Sequence, residues 1–82
     1  MTRLTENDID QIDTAILTAA DRFKGEARLR FLKTERDVYR RSAAWHASGG
    51  RRDKAEAYRV FACRVANEHR ESLDLLVRPG AA

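Results

Sequence analysis

The side chains best suited to catalysis in this sequence are a carboxylate and a histidine on predicted helix faces, Glu35 and His69. A carboxylate within reach of a histidine is the arrangement that general acid–base chemistry uses. The alternative is structural: Glu35 near Arg64, and Arg28 near Glu71, would form inter-helix ion pairs that fix the register of two helices. We favour the ion pairs, and we therefore expect no enzyme activity, no cofactor and no small-molecule substrate.

Cys63 is the only cysteine of the chain, and its surroundings in the sequence contain no recognisable metal or nucleophile pattern. His69 lies about 240° further around a helix, so the two side chains face different ways. No spacing in the chain is typical of zinc ligands, and no base adjoins the thiol to activate it. We interpret Cys63 as a half-buried small residue, and its lone thiol favours a reducing, cytoplasmic location.

A series of basic residues on the second predicted helix is the candidate nucleic-acid site. These residues share the outward side of the helix: Arg30, Lys33, Arg36, Arg40 and Arg41. Such a face can contact phosphates, with an affinity that falls steeply as salt is added. The alternative is an ordinary solvated face, partly neutralised by the acids of the first helix. No aromatic residue lies among these bases to stack on an unpaired base, which weighs against nucleic acid.

Two apolar residues, Trp45 and Val60, are the candidates for contact with a protein partner. Trp45 lies near a glycine turn and between arginines, a composition found at binding hot spots, although a place in the core is the alternative. Val60 points away from the main apolar stripe of its helix, so either the first helix or another copy of the chain must cover it. With Arg51 and Arg52, these residues form the predicted partner-binding site.

The elements that must position these residues are helices separated by glycines. Thr5 and Asp8 have the spacing of a capping box and predict the start of the first helix. Gly25 is the expected end of that helix. The pair Gly49 and Gly50 breaks the next helical pattern, and so short a connection makes the two long helices antiparallel.

These signals predict an all-α fold in which a short N-terminal helix packs on a long antiparallel helical hairpin. The three helices are expected at about residues 6–24, 26–47 and 53–77, within a single domain of residues 1–82. No apolar run approaches the roughly 18 residues that a membrane span needs, and the N-terminus has no apolar segment typical of a signal peptide. We therefore expect no membrane partner.

The expected seam of the hairpin follows from residues spaced seven apart on the second helix, Phe31, Val38 and Trp45. A turn centred between the two glycines would place Val38 opposite Phe61. The first helix would pack its isoleucines across this hairpin, with its acids beside the bases of the second helix. Residues 1–21 hold five acids and one base, whereas residues 22–41 hold eight bases and three acids.

The function predicted from these features is that of a small helical protein–protein interaction module, such as an adaptor, inhibitor or accessory protein. A thin core makes self-association, including a homodimer, part of this expectation, because a short chain buries a small fraction of its surface. The alternative is a nucleic-acid-binding protein that uses the basic face of the second helix and the hairpin tip.

Overall fold

A computed structural model describes residues 4–77 of the chain, so residues 1–3 and 78–82 of the predicted domain lie outside the described part. The helices are α1 (Glu6–Ala20), α2 (Gly25–Ser48) and α3 (Arg52–Val77). Most of the packing is between α2 and α3, and α1 makes fewer contacts with them. The predicted all-α fold, a short helix on a long hairpin, is confirmed. No helix within residues 4–77 has the length and apolar character needed to cross a membrane.

The start of α1 is the capping box that the sequence predicts. The backbone N–H of Thr5 donates to Asp8 Oδ2 at 2.9 Å, and the N–H of Asp8 donates to Thr5 Oγ1 at 3.2 Å. These reciprocal bonds satisfy two of the donors that a helix start leaves without partners. The local signal was therefore sufficient to place this helix start.

The predicted end of the first helix was wrong, because α1 stops at Ala20 and not near residue 24. The N–H of Phe23 bonds to the carbonyl of Ala20 at 2.9 Å, which closes a turn after the helix. The ring of Phe23 then stacks on Phe31 with centroids 4.9 Å apart. Gly25 does not end α1; it is the first residue of α2, with φ at +58°.

The seam between α2 and α3 is built mainly from small residues. Ala43, Ala55 and Ala62 are buried there, and among the described residues the only large side chains that are fully buried are Leu32 and Val65. Alanine permits a close approach of two helices, but each alanine removes little apolar area from water. The hydrophobic core of the hairpin is consequently thin.

The predicted position of Val38 on this seam was wrong, since Val38 is 40% exposed. Tyr39 occupies the place instead, and its ring meets Phe61 edge-on at 5.5 Å. Adjacent residues of a helix differ by about 100° in direction, so a modest rotation of α2 exchanges one residue for the next. The rotation brings Leu32 into the core and turns Trp45 away from it.

The predicted ion pair between Arg28 and Glu71 of the long helices was wrong, because Arg28 has other partners. Arg28 donates to Glu68 at 3.1 Å and to Ser72 Oγ at 3.2 Å, rather than to Glu71. Glu68 and Ser72 are one turn apart and share a face of α3, whereas Glu71 lies about 100° away from Ser72. Arg28 also pairs with Asp21 just after α1, so one guanidinium connects all three helical segments.

Helix α1 docks on the hairpin through apolar contacts and one ion pair. Ala20 joins Leu32 in the core, with Ile16 packed against them. Asp13 accepts from Arg64 of α3, with Nε at 2.7 Å from Oδ1. The prediction that Glu35 pairs with Arg64 was therefore wrong. The expectation that the acids of α1 lie beside bases of α2 was also wrong for Asp13, which pairs with a base of α3.

We expect Leu32→Ala to lower the free energy of unfolding by about 2–5 kcal/mol, because it truncates a large side chain that is fully buried in the core. Val38→Ala is the matched control, and its effect should stay below about 1 kcal/mol because Val38 is largely in water. Urea unfolding followed by circular dichroism measures both. A larger loss for Val38→Ala would contradict the observed rotation of α2.

The pH dependence of stability should reflect the pair of Asp13 and Arg64. The hydrogen bonds from Arg64 hold the pKa of Asp13 below its ordinary value of 3.8, against the smaller opposing effect of burial. A carboxylate with a lowered folded-state pKa stabilises the protein above its unfolded pKa, and this contribution disappears as the pH falls through the folded value.

Asp13→Asn should therefore cost up to about 1 kcal/mol at pH 7, a modest amount because the pair is partly exposed, and should cost less at about pH 2. Thermal unfolding at a series of pH values measures this. Asp10→Asn is the control on the same helix, since Asp10 is exposed and has no ion pair within residues 4–77. Equal losses from the two variants at both pH values would contradict the assignment.

Candidate functional site

The first candidate surface is the tip of the hairpin, where Trp45 lies near the end of α2. Its side chain is 65% exposed, which excludes the alternative that it caps the core. A tryptophan so exposed presents a large apolar surface that the core does not cover. The predicted partner-binding residue is thus available for contact.

Arg51 holds this tryptophan in place from the other side of the turn. Its Cζ lies 4.3 Å from the centre of the Trp45 ring, a cation–π contact. Its Nε donates to His46 Nδ1 at 2.9 Å. A Cβ on Gly49 would lie 2.6 Å from the same Cζ, so this position must lack a side chain for Arg51 to fold back. Gly50 has φ at +77°, the left-handed conformation that completes the turn.

A row of aromatic rings connects the tip to the core. His46 stacks on Tyr58 with centroids 5.2 Å apart and planes 6° from parallel. Tyr58 in turn meets Phe61 edge-on at 5.6 Å, and Tyr39 contacts both rings. Trp45 packs against His46 at 4.9 Å, so the exposed ring rests on a supported side chain. The tip is consequently a pre-formed surface rather than a loose loop.

The electrostatics of the tip are positive and affect His46. Partial burial of the imidazole lowers its pKa below 6.5, and the charges of Arg51 and Lys54 lower it further. The bond from Arg51 uses Nδ1 as an acceptor, which also favours the neutral ring. Arg52, the other predicted residue of the tip, is exposed at the first position of α3.

The second candidate surface is a groove of about 480 Å³ between α2 and α3. We call it the alanine groove. Its floor is mainly methyl groups and its rims carry arginines. From α2 it is lined by Arg40, Ala43, Ala44 and Ala47, and from α3 by Arg59, Ala62, Cys63, Ala66, Asn67 and Arg70. No residue of α1 lines it, whereas Ile12 and Ile16 of α1 line a smaller apolar cleft of about 190 Å³ elsewhere on the hairpin.

All the ionisable rim residues of the alanine groove are basic. Beyond Ala47 and Arg59 the groove continues past Arg52 and Glu56 towards the tip. Within residues 4–77, none of these arginines forms an ion pair, and Arg70 bonds only to the neutral amide of Asn67 at 2.6 Å. The groove therefore combines an apolar lining with arginines that form no ion pair within the described part of the chain, and Arg70 also lines a neighbouring cleft with acids that include Glu71 and Asp74.

The predicted basic face of α2 is not one uniform site. Arg30, Lys33 and Arg41 are exposed. Arg36 is paired with its neighbour Asp37 at 3.3 Å. Arg40 lines the alanine groove together with Arg59 and Arg70 of α3.

Sequence reasoning missed the arginines that α3 contributes to the alanine groove. The signal was nevertheless present in the spacing of Arg59, Ala62, Ala66 and Arg70, which recur every three or four residues and so share one helix face. Arg40 begins a similar series of alanines on α2. A face of small residues flanked by arginines is not marked by large apolar side chains, so an apolar stripe does not reveal it.

The remaining predicted residues lie apart from these two surfaces or change their role. Val60 is half-buried, and Cys63 is exposed rather than half-buried as expected, because the alanine groove leaves it uncovered. Glu35 lines the cleft beside α1, next to Tyr39. The pKa of Tyr39 is raised, mainly because its hydroxyl is buried and to a smaller extent because the carboxylate of Glu35 is close. No hydrogen bond between Glu35 and His69 is present among residues 4–77.

Comparison with protein-family models, with curated proteins and with solved structures finds no match to this chain. Within residues 4–77, no three histidine, cysteine or acidic side chains lie close enough together to hold a metal ion.

We expect Arg51→Gln to raise the pKa of His46, because it removes one of the two positive charges that lower this pKa. An NMR titration of the His46 ring protons measures the shift, and a change in the fluorescence of Trp45 reports loss of the cation–π contact. Arg52→Gln is the matched control and should leave both signals nearly unchanged, since Arg52 has no bond to the imidazole. Equal shifts from the two variants would contradict a specific contact with Arg51.

Proposed function

We propose that this protein is a protein–protein interaction module that acts by docking its hairpin onto a partner. The observation that carries the proposal is the distribution of large apolar side chains. Within residues 4–77, Leu32 and Val65 are the only large side chains that are fully buried, whereas nine large hydrophobic residues are exposed, among them Trp45 at 65% and Leu75 at 80%. Exposed apolar surface on this scale is typical of residues that a partner covers.

The tip has the composition and the rigidity expected of a binding anchor. Tryptophan and arginine are the residues most enriched among interface hot spots, and here Trp45 and Arg51 are in contact. Because the ring is already held by Arg51 and His46, binding would require little further ordering of it. A pre-formed anchor of this kind supports docking as its role.

The end of the hairpin opposite the tip supports the same proposal. The last turns of α3 expose a run of apolar side chains, Leu73, Leu75, Leu76 and Val77. Self-association through such surfaces is one form of the proposed function, and a different protein partner is the other. The single thiol supports a reducing compartment such as the cytoplasm as the place of action.

Nucleic-acid binding is the alternative function, and the structure gives it less support. At the tip, Arg51 covers one face of the Trp45 ring and His46 packs against the same ring, so only part of the ring remains open. Stacking on an unpaired base needs a free aromatic face beside a basic track. Among the predicted bases of α2, Arg30, Lys33, Arg40 and Arg41 are exposed, whereas Arg36 is half-buried and paired with Asp37.

The proposal predicts either a mass that rises with protein concentration or retention of a defined partner. Trp45→Ala should weaken the association about tenfold or more, the usual effect of truncating a hot spot, and Val60→Glu should weaken it as well. Sedimentation velocity over a range of concentrations and quantitative capture from native lysate measure these effects. Val38→Ala is the control, because it removes exposed apolar surface elsewhere on α2.

Circular dichroism would establish that each variant keeps its helices before binding is compared. A wild-type protein that stays monomeric at every concentration and captures nothing would refute the proposed function. Equal weakening by Val38→Ala and Trp45→Ala would refute the role given to the tip.

A further inference from the structure

We propose that the alanine groove is a docking site for an acidic amphipathic α-helix of a partner protein. The inference rests on the proposed function and names the class of partner and the surface that receives it. Three observations carry it: the shape and length of the groove, the charge of its rims, and the way in which the same hairpin already binds α1.

The shape of the groove fits a helix. It runs between two antiparallel helices, and its lining includes the buried Ala43 and Ala62, whose small side chains leave room for large side chains from outside. From Arg59 to Arg70 the groove spans about 16 Å along α3, and the continuation to Arg52 extends it to about 27 Å. A helix of about 11–18 residues covers this length, with leucine-sized side chains directed into the floor.

The charge of the rims specifies an acidic partner. Arg40 lies on the α2 rim and Arg59 and Arg70 on the α3 rim, and Glu56 is the one acid along the continuation. A helix with carboxylates flanking its apolar stripe would place negative charge along both rims. Such complementarity gives an interface its register and its selectivity.

The hairpin itself contains an example of the same recognition. Helix α1 is acidic and amphipathic: Ile12 and Ile16 face the hairpin, and Asp13 pairs with Arg64 of α3. The alanine groove repeats these features, an apolar floor beside arginines, on a part of the hairpin that α1 does not reach. A helix in the groove would complete a four-helix arrangement around α2 and α3.

A nucleic acid fits the groove less well than a helix does. No aromatic residue lines it, so it offers nothing on which a base could stack. Its floor of methyl groups would face the polar sugar–phosphate backbone without hydrogen-bonding to it. An apolar floor between charged rims matches the amphipathic section of a helix.

The test uses Cys63 as a reporter, because it is the only thiol of the chain, is exposed and lines the groove. The probe is a synthetic helical peptide of about 18 residues with leucines on one face and glutamates beside them; the control peptide has lysine in place of every glutamate. The acidic peptide should slow alkylation of Cys63 by iodoacetamide about tenfold at saturation. The lysine peptide should leave the rate unchanged.

Charge reversal on the rims is the decisive variant. The double variant Arg40→Glu/Arg59→Glu should weaken protection by the acidic peptide about tenfold or more, because each rim would then repel it. Arg41→Glu is the matched control: it is a neighbouring exposed arginine of α2 outside the groove, and it should change the affinity less than about threefold. Circular dichroism would verify that the variants fold alike.

Several outcomes would overturn the inference. One is the absence of protection by the acidic peptide at concentrations up to about 1 mM. Protection of Cys63 by a labelled single-stranded or duplex DNA, but not by the acidic peptide, would assign the groove to nucleic acid. Protection that rises with protein concentration alone would assign it to a second copy. If the peptide fails while Trp45→Ala still weakens a measured association, the proposed function stands and only the groove assignment falls.

Discussion

The alanine seam between α2 and α3 is the constraint on which the rest of the structure depends. Ala43, Ala55 and Ala62 are buried between the long helices, and small side chains let the two helices approach closely. Close approach leaves little room for larger residues, so the core gains little apolar area beyond Leu32 and Val65. Interactions at the edges of the seam must then fix the register of the hairpin.

These edges differ in character, and the difference accounts for the candidate surfaces. On one edge the displaced large side chains form the row of rings from His46 through Tyr58 to Phe61, which supports the tip. On the other edge the neighbours of the seam are again alanines, and the helices leave an open groove. A single packing choice, small residues at the centre, thus yields both a rigid tip and an uncovered floor.

The docking of α1 pairs its acids with a few arginines and leaves other arginines of the hairpin without an ion pair in the described part of the chain. Asp13 neutralises Arg64 and Asp21 contributes to the binding of Arg28, so the acids of α1 are directed to two arginines that hold the fold together. Arg40 and Arg59 of the alanine groove form no ion pair with these acids. The same chain therefore has a stabilised acidic helix on one part of the hairpin and unneutralised positive charge on another.

The sequence by itself determined the number, order and starts of the helices, because these depend on short-range chemistry. The bond between Thr5 and Asp8 and the break at Gly49 act within a few residues, and so they can be recognised without a partner. Only the tertiary structure decided which face of α2 meets α3. Val38 and Tyr39 are equally compatible with an apolar stripe, and the choice depends on side chains of all three helices at once. That choice placed Trp45 in water and left the groove open, which no periodicity along a single helix could specify.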